Sequence, residues 1–217
     1  MRIPDLSGYE ICDLYAVMDI ERPTPPEKSY SVLNDKDKIK LIKTVEMCVR
    51  HSLEYKEYVK YLRENIDMTK CTFFSNVSGE SRRVKIEIHH EPFTLFDITH
   101  VVVDKFIAED WDLNPILIGE EVMKLHYQNK VGLVPLSSTC HGLVHDGKLC
   151  IPLQVVYGDY VSFLEEYYKY IPDDLLGILQ LKVDTSKDIA SFNTSVLEKK
   201  YVYLNVDGFN LPQPIST

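Results

Sequence analysis

The sequence predicts an α+β fold, and three observations carry that prediction. Apolar residues recur at helical spacing after residue 34, short alternating runs appear between residues 71 and 89, and helical and strand-like patterns mix again beyond residue 150. A chain of 217 residues can bury one substantial core, or a core with an appended subdomain. Its 45% apolar and 26% charged residues, with 14 tyrosines, are those of an ordinary globular protein.

The first 30 residues read as an irregular arm, because Pro4, Pro23, Pro25 and Pro26 cannot sustain a helix. Asn34 is a candidate N-cap for an amphipathic helix to about Arg50, carried by Ile39, Leu41, Ile42, Val45, Met47 and Cys48. A second helix runs from Leu53 to Glu64. Cys71–Phe74 and Val84–His89 read as the two strands of a hairpin around Ser78-Gly79-Glu80-Ser81, the second strand ending in His89-His90. Helices follow over 98–109 and 115–127, the latter with Pro115 after Asn114. The apolar run Val131–Leu136 then leads to Ser137-Ser138-Thr139, which can cap a helix starting near Cys140. The remainder reads as a strand over 151–157, helices over 160–170 and 173–181, and a final strand over 200–206. Three regions result: an amino-terminal arm with helices (1–66), a strand–helix module (67–150) carrying a helical insert (91–130), and a mixed packing or oligomerisation region (151–217).

Bulk chemistry narrows the function. The net charge of −9 excludes an all-over basic surface, and the acid excess lies beyond residue 70. A grip on many duplex phosphates needs a basic face, so contact with nucleic acid is expected to be short, local, and helped by a metal ion or a partner subunit. Five scattered cysteines with no C-x-x-C pair argue for reduced thiols. No run approaches the roughly 18–20 apolar residues of a membrane span. The amino terminus lacks the layout of a signal peptide. A cytoplasmic setting is expected, the host's cytoplasm if the source is a virus, with no membrane partner.

His141 and His145 stand four apart, so a helix puts both imidazoles on one face and on one metal ion. Such pairs are common on solvated helix faces, and it is the context that gives this one meaning. His89-His90 at a strand exit, followed by Leu-Val-Pro-Leu-Ser-Ser-Thr-Cys-His-Gly-Leu-Val-His, resembles the His-Asn-His (HNH, or ββα-metal) endonuclease family over residues 71–150. The resemblance implies a ββα-metal nuclease-like core in its colicin-like His-His variant, in a phage-encoded or mobile-element protein. By it, His89, His141 and His145 are metal ligands, and His90, beside the ligand His89, is the general base. The cofactor is then a divalent ion, with three imidazoles suiting zinc, nickel or manganese over magnesium. The partner is nucleic acid, DNA first, with room for a homo-oligomer or a protein partner. Arg82 and Arg83, on the approach to the strand, can grip a flanking phosphate; a solvated basic pair is the plainer reading.

The sequence departs from the family at three points. Gly132 stands nine residues before His141, where the family has its Asn, with Asn129, three residues away, a candidate substitute. Each of the two Cys-x-x-Cys pairs that hold a structural zinc keeps one cysteine, Cys71 and Cys140, which excludes a four-thiolate site and leaves two core thiols. The insert of about 40 residues exceeds the family's compact loop. His51, His100 and His126 are expected to pack or face solvent, and Trp111 to anchor a core or an interface. Three functions are open: first a metal-dependent nuclease, second an inactive HNH-like module kept for binding or assembly, and last a helical interaction protein in which all four histidines are surface or core residues.

Overall fold

A computed structural model of the chain describes residues 34–80 and 84–185. The expected arm, the final strand over 200–206, and Arg82 and Arg83 lie outside the described residues. Seven α-helices and two two-stranded antiparallel sheets make the described chain α+β, as expected. It divides into two compact units, each assembled from separate stretches: 34–60, 95–131 and 159–172 in one, and 61–94, 132–158 and 173–185 in the other.

The first unit is helical. Helix α1 (Asp35–His51) begins where predicted, with the Asn34 side chain accepting the Asp37 N–H at 3.0 Å and Asp35 and Asp37 in the positive first turn. It buries Ile42, Val45 and Val49. Ser52 ends α1 by donating its N–H to Cys48 O, and starts α2 (Leu53–Asn65) by accepting the Tyr55 N–H at 3.0 Å. Helices α3 (Leu95–Ala108) and α4 (Pro115–Tyr127) pack with α1. Both stop in the same way, at a left-handed residue flanked by two reversed hydrogen bonds. At the end of α3 this residue is Asp110, with Asp110 N–H to Ile107 O and Trp111 N–H to Phe106 O, while the Trp111 ring stands edge-on to Phe106. The sole tryptophan is thus the apolar clasp of a helix terminus, 47% exposed. At the end of α4 the residue is Asn129, so the candidate substitute for the family's Asn serves as a helix stop.

The same unit contains a closed polar cluster. Glu121 on α4 accepts from the Tyr167 hydroxyl (2.6 Å), Lys105 (2.9 Å) and Lys124 (3.2 Å), with Tyr167 on α6 (Tyr160–Tyr167). Burial alone would raise the Glu121 pKa; the three donors together reverse that and hold it at about 2. His126, 1% exposed, sits with its ring edge-on to Tyr55 and Tyr58 and its Nδ1 2.7 Å from Val122 O. Burial drives its pKa down to about 4, so it is a neutral core histidine, as expected.

The second unit holds both sheets. Strand β1 (Lys70–Cys71) pairs with β2 (Phe74–Ser78), and β3 (Ile86–His90) pairs with β4 (Leu133–Ser137). The expected hairpin between 71–74 and 84–89 is therefore corrected. The partner of β3 is the apolar run after the insert, in a register that sets Ile86 opposite Ser137 and His90 opposite Leu133. Val134 and Leu136 bury one face of β4, and an apolar edge gains more from covering that face than β3 gains from pairing with the nearer, shorter strand. The expected strand over 151–157 is also corrected: a 3₁₀ turn occupies Leu153–Val155, and only Tyr157 pairs, through reciprocal bonds with Leu133. Pro152 has no N–H to give to a ladder. Helix α5 (Ser138–His145) follows β4 directly, and α7 (Asp173–Thr185) closes the described chain.

Candidate functional site

Strands β3 and β4 with α5 position the site. The Ser137 side chain accepts the Cys140 N–H at 3.3 Å, so α5 starts at the last residue of β4 with no intervening loop. Its other end is fixed by Gly147, whose φ of +66° lets Gly147 N–H reach Val144 O and Lys148 N–H reach Leu143 O. Cys140 and Leu143 bury the inner face of α5 in a cluster with Phe73, Phe74, Ile86, Val134, Leu136, Leu149 and Ile151. Cys71 joins that cluster; its thiol is pulled down by a hydrogen bond with Cys140, against the burial that would raise it. The two cysteines are neighbours in an apolar core.

With α5 so held, His141 and His145 meet His89. One ring nitrogen from each lies within 4.8 Å of one from both others. The rings of His89 and His141 have centroids 5.2 Å apart, those of His89 and His145 5.3 Å, and those of His141 and His145 4.5 Å. His141 Nε2 stands 3.2 Å from His145 Nε2. Two nitrogens bound at about 2.0–2.1 Å to one tetrahedral ion lie about 3.3 Å apart, so this spacing fits a shared cation without rearrangement. The burial grades from His89, buried at 6% exposure, to the exposed His145, which leaves one side open to solvent.

Two carboxylates attend the cluster. Glu87 Oε2 is 3.0 Å from His141 Nδ1, and Glu87 Oε1 accepts from the Ser138 hydroxyl at 2.9 Å and pairs with Lys85 at 3.0 Å. Burial raises its pKa, but hydrogen bonds from Lys85 and Ser138 and the field of His141 outweigh it, so Glu87 is held below the usual range as an anion. With Nδ1 committed to Glu87, His141 presents Nε2 to the other rings. Glu91 Oε2 is 3.6 Å from His89 Nε2. Neither acid is singled out by the sequence motif, although the signal is there: Glu87 and His89 alternate along β3, and Glu91 continues the same two-residue period just past its end.

The structure brings three of the four expected histidines together and leaves His90 outside the convergence. His90 neighbours His89 on β3, is 4% exposed, and leaves the strand on the opposite face. At Gly132 the family's Asn has no room: an added Cβ would lie 1.8 Å from Glu91 O and 2.7 Å from Val156 Cγ1. The strand ends are joined there by the Glu91 N–H to Gly132 O bond, 3.0 Å, main chain in place of a side-chain tie. Among the other histidines, His51 is exposed with Nδ1 2.8 Å from Met47 O, and His100 pairs with Asp104 at 3.3 Å.

Fold and site thus define an α+β protein with a strand–helix cluster of three histidines, and no helix among the described residues is long and apolar enough to cross a membrane. A model described as Bacteriophage G278-like virion protein matches residues 24–209, and the chain belongs to that family. No curated protein and no solved structure matches it.

Proposed function

We propose that this virion protein is a metal-dependent endonuclease of the HNH (ββα-metal) type, hydrolysing phosphodiester bonds in DNA within the host cytoplasm. One observation carries the reading: His89 from β3 and His141 and His145 from α5 turn ring nitrogens toward one point, with Glu87 fixing the ring of His141. These three residues would hold a zinc, nickel, manganese or magnesium ion, which would supply charge stabilisation for the scissile phosphate and the departing oxygen. His90 is the general base by resemblance, and its burial on the far face of β3 makes it the assignment that the test must address. Arg82 and Arg83 would hold a flanking phosphate. The acidic surface favours a short DNA contact completed by a second copy or another virion protein.

The test is plasmid cleavage with each of the four metals, comparing wild type with His141→Ala and His90→Ala. Cleavage that His141→Ala reduces by more than about a hundredfold supports the site, since even outer partners of a metal ligand are worth 10–100-fold. Equal cleavage by both proteins removes the nuclease reading. Loss in His90→Ala with metal affinity intact makes His90 the base, and full activity excludes it.

A second reading, an inactive HNH-like binding or assembly module in the particle, is favoured by Gly132, where the family's Asn cannot be accommodated. It predicts metal binding without cleavage.

A further inference from the structure

The acids beside the cluster differ in how they are held. Glu87 is a quarter exposed and tied to its own neighbourhood by Lys85 and Ser138. Glu91 is 4% exposed and reaches across the sequence. Its Oε1 is bound by the ammonium of Lys182 on α7, and the same ammonium donates to Pro92 O at 3.0 Å. Its Oε2 faces His89 Nε2. A buried carboxylate without a partner is costly, and here Oε1 is bound by Lys182 while Oε2 is turned to the His89 ring, 3.6 Å away. The Glu91 main chain is pinned as well, by the bond to Gly132 and the close approach of that residue.

We propose that Glu91 is a positioning residue for His89, locked by Lys182, so that the ring keeps Nε2–H on the side of the carboxylate, 3.6 Å from Oε2, and turns Nδ1 to the cation. The proposal rests on the three-histidine metal site and extends it by a residue from α7, outside the strand–helix motif. His141 is already held in this manner by Glu87, with the ring nitrogens exchanged: Nδ1 to the acid and Nε2 to the centre. Histidine ligands generally donate their second N–H to such a partner, which fixes the tautomer and makes the free nitrogen a better donor. Lys182 removes the freedom of Glu91 to swing away. Cys150, whose thiol feels both charges, lies close by.

The experiment has two readouts on the full chain. The first is the ¹⁵N spectrum of the His89 ring in metal-free protein, which reports where the proton sits. The second is zinc affinity by calorimetry. In wild type the His89 proton is expected on Nε2; Glu91→Ala mixes the tautomers, while Glu91→Gln, which retains an acceptor, keeps them unmixed. Zinc affinity is expected to fall 10–100-fold in Glu91→Ala and by a smaller factor in Lys182→Met, with Lys182→Arg restoring it. Lys182 is 32% exposed, so its variants are expected to fold even if Glu91→Ala does not, and the Met/Arg pair then decides. An unchanged His89 tautomer in Glu91→Ala, or equal zinc affinity in Lys182→Met and wild type, overturns the proposal while leaving the metal site intact. Absence of zinc binding in wild type, with a tautomer that still depends on Glu91, sinks the metal reading and leaves the positioning of His89 standing.

Discussion

The helical unit and the strand-bearing unit both bury histidine and glutamate, and they use them in opposite ways. In the helical unit the Glu121 carboxylate is closed off by Tyr167, Lys105 and Lys124, and His126 is neutral, its Nδ1 against Val122 O. In the strand-bearing unit, Glu87 and Glu91 leave ring nitrogens turned toward one another instead of quenching them. Burial of an ionisable residue therefore does not mark a site here. What sets the candidate site apart is the convergence of ring nitrogens from a strand and a helix.

The contrast can be broken most forcefully at Gly132. Gly132→Ala drives a methyl group into the Glu91 carbonyl, a main-chain atom that cannot step aside, and is expected to destabilise the strand-bearing unit by about 3 kcal/mol or more. Urea unfolding followed by far-ultraviolet circular dichroism measures it; a loss under about 1 kcal/mol would mean that the strand ends are looser than described.

His126 gives the next largest effect. Its folded pKa of about 4 lies below the unfolded 6.5, so the unfolded chain binds the proton first as pH falls. Stability is unaffected above pH 6.5 and drops through the window from 6.5 to 4, by roughly 3 kcal/mol in all. Trp111 belongs to the same unit and is the only tryptophan, so its fluorescence reports this loss directly. His126→Leu should flatten the dependence between pH 6.5 and 5, and an unflattened curve would move the proton to another group.

The smallest effect sharpens the other side. Glu87→Ala frees the ring of His141 and is expected to weaken zinc binding by about tenfold, with little change in stability because Glu87 is partly exposed. Unaltered affinity would mean that α5 alone orients His141.

Much of this is legible in the sequence. Asn34 and Pro115 marked their helix starts, and the three histidines could be chosen because strand exit, apolar run and helical pair occur in a fixed order. What the sequence hid was pairing at a distance. Alternation around Val84–His89 reads as a strand wherever its partner lies, and nothing in it separates the nearer candidate, 71–74, from the actual partner, β4. Glu87 and Glu91 could have been found by extending the two-residue period on both sides of His89. Lys182 could not, because no local pattern ties it to a residue 91 positions earlier. The room denied to Gly132 is likewise a property of Val156 and of the Glu91 main chain, visible only once they are neighbours.

The order of these stretches along the chain also bears on biosynthesis. His89 leaves the ribosome well before His141 and His145, with α3 and α4 made in the interval, and Lys182 comes later still. A nascent polypeptide that has reached the end of α4 carries one imidazole of the cluster. The histidine cluster is therefore complete only once α5 has been made, and a chain ended before His145 would lack it.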